Sequence, residues 1–167
     1  MQRLDEKIKS TDYQSEVELE KDFIYRLTQQ GYEYVNIKDE KDLVSNLRTQ
    51  LEKLNNFNFS DKEWERFYLK NISNGNEGIL EKTRKIQDDS VQNLICDNGA
   101  TKNVKLIDKK NIHNNFLQVL NQYEEDGGTH ETRYDVTILV NGLPLVHIEL
   151  KRRGVAIREA FNQIKRY

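Results

Sequence analysis

The chain has 167 residues, 32% charged and 36% hydrophobic, with a formal net charge of -2. That length makes about one domain, and eight Tyr and six Phe add to the material for a buried core. A single cysteine, Cys96, excludes a disulfide framework or a thiolate metal site within the chain. No apolar run reaches the roughly 18 residues of a membrane-spanning helix.

The first dozen residues carry no clear pattern. They lack the apolar stretch of a secretory signal, so a reducing cytoplasmic location is expected. Ser15-Glu16-Val17-Glu18 is a capping box, with a hydroxyl at the N-cap and a carboxylate three residues on. Leu19, Phe23 and Leu27 then recur at helical spacing up to Gly31, a C-terminal stop. Residues 32–37 read as a short strand. A second helix is expected over about 39–55, with Leu43, Leu47, Leu51 and Leu54 on one stripe. Ser60-Asp61-Lys62-Glu63 is another capping box and opens a helix carrying Trp64, Phe67 and Tyr68. The Asn/Gly-rich residues 71–78 form a loop, followed by a helix with Ile79, Leu80 and Ile86.

Residues 87–103 are polar and show no pattern. Strands are expected at 104–107, 115–123, 133–140 and 143–151, the last two joined by Asn141-Gly142. Val155 to Tyr167 reads as a helix with Ile157, Phe161 and Ile164 on its core stripe. Helices, then an antiparallel meander, then a helix define an α/β domain with a mixed sheet. Charge is unevenly spread along it. Residues 151–167 hold six cations against Glu159 alone, a local charge of +5 in a chain of -2. A cation cluster of this kind suits a polyanion, although a solvated helix end explains it equally well. The last residue, Tyr167, falls inside the expected helix, so the chain is expected to be part of a longer protein.

The chemistry concentrates in the two strands around Asn141-Gly142. Asp135, Glu149 and Lys151 are charged groups in runs of Val, Ile and Leu, where they are costly unless compensated. A divalent metal held by the two carboxylates offers that compensation, with the Leu150 carbonyl as a third ligand. Hydrolysis of a phosphodiester needs such a hard cation, which prefers oxygen donors, and a nearby lysine can orient water or offset phosphate charge. Glu149 and Lys151, two apart on a strand, share a face. Asp135 reaches the same face only if the hairpin departs from a plain two-residue turn, which would place Asp135 opposite Ile148. A three-residue loop or a bulge is therefore expected. Strand-end charges facing water are the competing reading. In the last helix, Gln163 and Tyr167 lie one turn apart on one face.

Taken together, Asp135, Glu149-Leu150-Lys151 and Gln163-x-x-x-Tyr167 resemble the PD-(D/E)XK nucleases of the RecB-like branch. The run Arg133 to Lys151 and the segment Gly154 to Tyr167 are most similar to the restriction (R) subunit of type I restriction-modification enzymes. Tyr13 to Glu16 and Gly78 to Arg84 extend that likeness upstream. Tyr134 stands where the loose pattern has Pro. The resemblance implies a restriction-endonuclease-like mixed sheet with flanking helices. A helical N-terminal part would span 1–103 and a nuclease core 104–167. It implies Mg²⁺-dependent cleavage of double-stranded DNA, with Asp135 and Glu149 as metal ligands and Lys151 as the catalytic lysine. Gln163, Tyr167, Arg152 and Arg153 would be accessory or DNA-binding residues. Such nucleases often add an acid from the first helix. Glu16 and Glu20 are the candidates, against the plainer reading of a solvated helix face.

The resemblance further implies ATP-driven motor domains elsewhere in a longer subunit, and methyltransferase and specificity subunits as partners. This chain has no Gly-x-x-x-x-Gly-Lys-Ser/Thr of its own. Two rival readings remain. One is a docking module in which 15–86 anchors the subunit to the methyltransferase core and the nuclease half is silent. The other is a stand-alone nuclease of the same fold. His147, on the face of Glu149, reads as a packed strand histidine and Trp64 as core. Lys109 and Lys110 contact phosphate or are simply solvated.

Overall fold

The structure is a computed structural model that describes residues 15–125 and 132–151. Ser15 caps the first helix, α1 (Glu16–Gln29), as the sequence requires. The Glu18 amide donates to the Ser15 hydroxyl, and the Glu18 carboxylate accepts from the Ser15 amide. After Gln30 the chain turns through Gly31 at φ +93°, a conformation that glycine adopts at little cost. A two-residue strand, β1 (Glu33–Tyr34), follows. Asp39 caps α2 (Glu40–Asn55), which ends on a left-handed Asn56. Ser60 repeats the capping box for α3 (Asp61–Asn71) and also donates to Asp97 at 2.6 Å. Gly78 opens α4 (Ile79–Asp88) without a side-chain cap.

Residues 87–103 hold more order than their polarity suggests. They contain β2 (Val91–Ile95) and the start of β3 (Thr101–Lys105), paired antiparallel as a two-stranded ribbon. The ribbon buries only Leu94 and Val104 and exposes the alternate positions, so its apolar signal is two residues long. A single 3-10 turn (Ile112–Asn114) then leads to β4 (Leu117–Glu125), β5 (Thr132–Val140) and β6 (Leu143–Ile148). These three strands form the expected antiparallel meander. β1 adds to it in parallel beside β4, giving the mixed sheet order β1-β4-β5-β6. The strand expected over 32–37 shrinks to β1, and the one expected to reach 151 leaves the ladder after Ile148.

Alternation along β4 explains the layers. Val119 faces α1 through a cluster with Leu27 and Val136, flanked by Phe23, Ile24 and Ile148. Its neighbour Leu120 faces the other side, toward Ile37, Leu139 and Leu43 of α2. A third and larger cluster packs Leu47, Leu51, Phe59, Trp64 and Phe67 of the helical half against Leu94, Val104 and Leu106 of the ribbon region. Trp64 is therefore core. Among the described residues no helix is long and apolar enough to cross a membrane.

The turn between β5 and β6 is the joint between the layers. Asn141 and Gly142 both have positive φ, +53° and +82°, the pattern of a type I′ turn. Asn141 is fully buried. Its side chain donates to the Leu106 carbonyl and the Asn115 side chain and accepts from the Phe116 amide. Asn115 in turn receives the Asp108 amide, and Asp108 accepts from two backbone amides, Asn114 and Lys105. Every polar group in this string is paired, so the turn is held to the 106–116 loop without an unpaired buried group. Against its other side, α2 approaches so closely that a Cβ on Gly142 would lie 2.6 Å from the Leu47 Cα.

Candidate active site

The β5–β6 hairpin has the two-residue turn that Asn-Gly signals and also the bulge that the spacing of the carboxylates demands. Val140 pairs with Leu143 and Leu139 with Pro144, but the next pair is Ile138 with Val146. Leu145 is the extra residue. Pro144 has no amide to give to the ladder, and the irregularity falls beside it. Beyond the bulge Thr137 opposes His147 and Val136 opposes Ile148. The following position brings Asp135 opposite Glu149 on one face. Without the bulge the partner of Asp135 would be Ile148, and the carboxylates would lie on opposite faces.

Where the ladder ends, side chains take over from backbone pairing. The Leu150 amide donates to Asp135 Oδ2 at 2.7 Å. Leu150 itself packs with Ile148 against the α1 side, which leaves Glu149 and Lys151 on the face of Asp135. The Glu149 side chain is only 3% exposed. Its Oε1 accepts from the Lys151 ammonium at 2.5 Å, whereas its buried Oε2 has no hydrogen-bond partner among the described residues. Burial pushes the Lys151 ammonium down, but its bond to Glu149 and the charges of Glu149, Glu16 and Asp135 outweigh that, and its pKa is raised. Lys151 is therefore a cation at neutral pH.

The first helix contributes two acids, differently placed. Glu16 is exposed yet close enough for its charge to act on Lys151. Glu20 departs from the solvated-face expectation. It is buried, 7% exposed, and accepts from the Asn121 side chain at 2.5 Å. Asn121 in turn accepts from the Tyr34 hydroxyl at 2.8 Å and pairs across the sheet with Val136, the neighbour of Asp135. Sequence reasoning missed this chain from α1 through β4 to β1, because its partners lie 101 and 87 residues apart. His147 also differs from a packed histidine. It is exposed, with Nδ1 3.0 Å from the Thr137 hydroxyl and its ring stacked on Tyr134 at 3.9 Å. Lys109 bonds the Gln87 carbonyl. Gln163, Tyr167, Arg152 and Arg153 lie outside the described residues.

Among the described residues no three His, Cys, Asp or Glu side chains converge as a metal cage. The donors that the described residues offer at this end of the hairpin are two carboxylates, one with a buried oxygen that has no partner among them, and the Leu150 backbone. Such a sparse all-oxygen set fits Mg²⁺, which keeps several waters and binds through one or two carboxylates, and not a structural zinc site.

A mixed α/β sandwich with paired carboxylates and a lysine at the open end of a bulged hairpin has a nuclease-like architecture. Comparison with known families agrees over nearly the full length. Residues 13–167 match the family model described as type I restriction enzyme R protein N terminus, and the chain belongs to that family. It is 53% identical over 156 residues to the type I restriction enzyme EcoprrI endonuclease subunit of Escherichia coli, covering 93% of this chain and 50% of that one. It is 43% identical over 160 residues to the SsaAORF53P endonuclease subunit of Staphylococcus saprophyticus, covering 93% of this chain and 17% of the relative. A more distant match, 34% over 99 residues, is the putative MjaVIIIP endonuclease subunit of Methanocaldococcus jannaschii, covering 58% of this chain and 8% of that protein. The chain thus spans half the length of the first of these relatives and less than a fifth of the second.

Proposed function

We propose that this domain cuts double-stranded DNA by Mg²⁺-dependent hydrolysis of its phosphodiesters, as the endonuclease part of a type I restriction enzyme R subunit. The observation that carries the reading is the bulge at Leu145. It sets Asp135, Glu149 and Lys151 on one face, where a buried Glu149 oxygen has no partner among the described residues. A structural ion pair needs neither feature.

In this reading Asp135 and Glu149 hold the cation, with the Leu150 carbonyl as the third protein ligand. A Mg²⁺ ion held by these residues would supply polarisation of the phosphate and a lower pKa for the attacking water. Asp135, fixed through Oδ2 by the Leu150 amide, presents its other oxygen in a set orientation. Lys151, charged at neutral pH, offsets the negative charge that builds on the phosphate in the transition state and does not act as the base. Arg152 and Arg153 extend the positive charge along the DNA backbone, with Gln163 and Tyr167 as accessory contacts. Glu16 and Glu20 supply further negative charge from α1.

The remaining roles belong to the longer subunit. ATP acts through motor domains beyond this chain, and methyltransferase and specificity subunits choose the DNA in the cytoplasm. The test is Mg²⁺-dependent cleavage of plasmid DNA by the subunit carrying Glu149→Ala or Lys151→Ala. Both substitutions abolish cleavage if the hairpin carries the chemistry, and a variant that still cuts moves it elsewhere.

A further inference from the structure

Glu149 and Lys151 raise a question that a metal site alone does not answer: what keeps a buried carboxylate tolerable before any metal binds. An isolated buried carboxylate is strongly disfavoured, and removing one partner of a buried pair leaves that cost exposed. Here the Lys151 ammonium lies 2.5 Å from Glu149 Oε1, with 21% and 3% of the two side chains exposed. Asp135 is arranged in parallel. Its Oδ2 takes the Leu150 amide, and its Oδ1 has no hydrogen bond among the described residues. Among the described residues each carboxylate thus commits one oxygen to a donor and has no partner for the other.

We propose that Lys151 is the built-in counter-ion of Glu149, a placeholder that competes with the divalent cation for that carboxylate. The proposal rests on the metal-binding reading of the hairpin. Lys151 stabilises the metal-free domain by neutralising Glu149. When the cation arrives, like charge weakens the hold of Lys151 on Oε1 and frees the ammonium to turn toward substrate phosphate. One lysine then serves two successive partners, and metal binding is weaker than the open oxygens alone would allow. The geometry favours this exchange because the strand ladder ends at Ile148 and the Leu150 amide is bonded to β5 only through the Asp135 side chain, so Lys151 sits just past the last tie to that strand.

The test follows hydrogen exchange of the 135–151 segment in the full-length polypeptide, with and without Mg²⁺ and without nucleotide. Lys151→Met is expected to exchange faster than wild type when metal is absent. It should reach half-maximal protection at about tenfold lower Mg²⁺, the effect of removing one nearby like charge. Glu149→Gln removes the buried charge, so adding Lys151→Met to it should change metal-free exchange little. That double variant separates lost packing from the lost counter-ion. Equal protection of wild type and Lys151→Met at the same Mg²⁺ concentration overturns the competition alone. Absence of Mg²⁺ protection in wild type and variant alike overturns the metal reading, and the competition with it.

Discussion

The Leu150 amide donates to the Asp135 side chain where backbone pairing between β5 and β6 has already stopped. A side chain proposed for chemistry thus also closes the end of the hairpin, and the two roles separate by substitution. Asp135→Asn keeps an oxygen for the Leu150 amide but loses the charge. It is expected to retain its melting temperature while cleavage falls at least about 100-fold, as for loss of a metal ligand. Asp135→Ala loses both, so its 147–151 segment should also exchange faster. Equal exchange in the two variants would show that the hydrogen bond does not hold the strand end.

Gly142 tests the joint between the turn and α2. Its φ of +82° disfavours any side chain, and a Cβ would lie 2.6 Å from a backbone atom of Leu47 that cannot move away alone. Gly142→Ala should destabilise the domain by about 2 to 4 kcal/mol in a denaturant titration. A cost below about 1 kcal/mol, that of the φ alone, would mean that α2 yields.

Asn141 should matter as much by another route. Asn141→Ala removes the side-chain acceptor of the Phe116 amide and the side-chain donor to the Leu106 carbonyl. A loss of about 3 kcal/mol is expected from losing one buried and one part-buried hydrogen bond. Asn141→Asp keeps the acceptor for Phe116 but turns a buried carboxylate oxygen toward the Leu106 carbonyl and the Asn115 oxygen, so near neutral pH it should be at least as destabilising.

Asp108 makes stability depend on pH in a stated direction. The Asn111 amide, the Asn114 side chain and the Lys105 ammonium hold its carboxyl well below the usual range. The folded state therefore takes up this proton at lower pH than the unfolded chain, where Asp titrates near about 3.9. The stabilisation is fully present above that value and is lost as pH falls through the folded one. Melting temperatures measured from neutral to acid pH should drop in wild type below about pH 4, and drop less in Asp108→Asn. Parallel curves would place the acid sensitivity elsewhere.

Legibility in the sequence follows the range of the forces involved. α1, α2 and α3 were readable because their signals are local. Ser15 and Ser60 bond residues three positions away, and the apolar stripes need only the helical period. The bulge was readable for a subtler reason. Two carboxylates required on one face conflict with the parity of an Asn-Gly turn, and an extra residue resolves the conflict. β2 was not readable, because Leu94 is its only buried apolar residue and Val91 and Ile95 face outward. The burial of Glu20 was not readable either. It depends on Asn121, which only the assembled sheet brings to α1.

The measurement that bears most directly on the central claim is cleavage of circular double-stranded DNA by the full-length subunit assembled with its methyltransferase and specificity partners, in the presence of ATP and Mg²⁺. Wild type is compared with Glu149→Gln, which matches it in shape, and ATP hydrolysis is followed in the same samples. The account predicts that Glu149→Gln hydrolyses ATP at the wild-type rate and leaves the DNA uncut. DNA cut by Glu149→Gln as fast as by wild type would contradict it, because the buried carboxylate at the end of β6 would then take no part in the reaction.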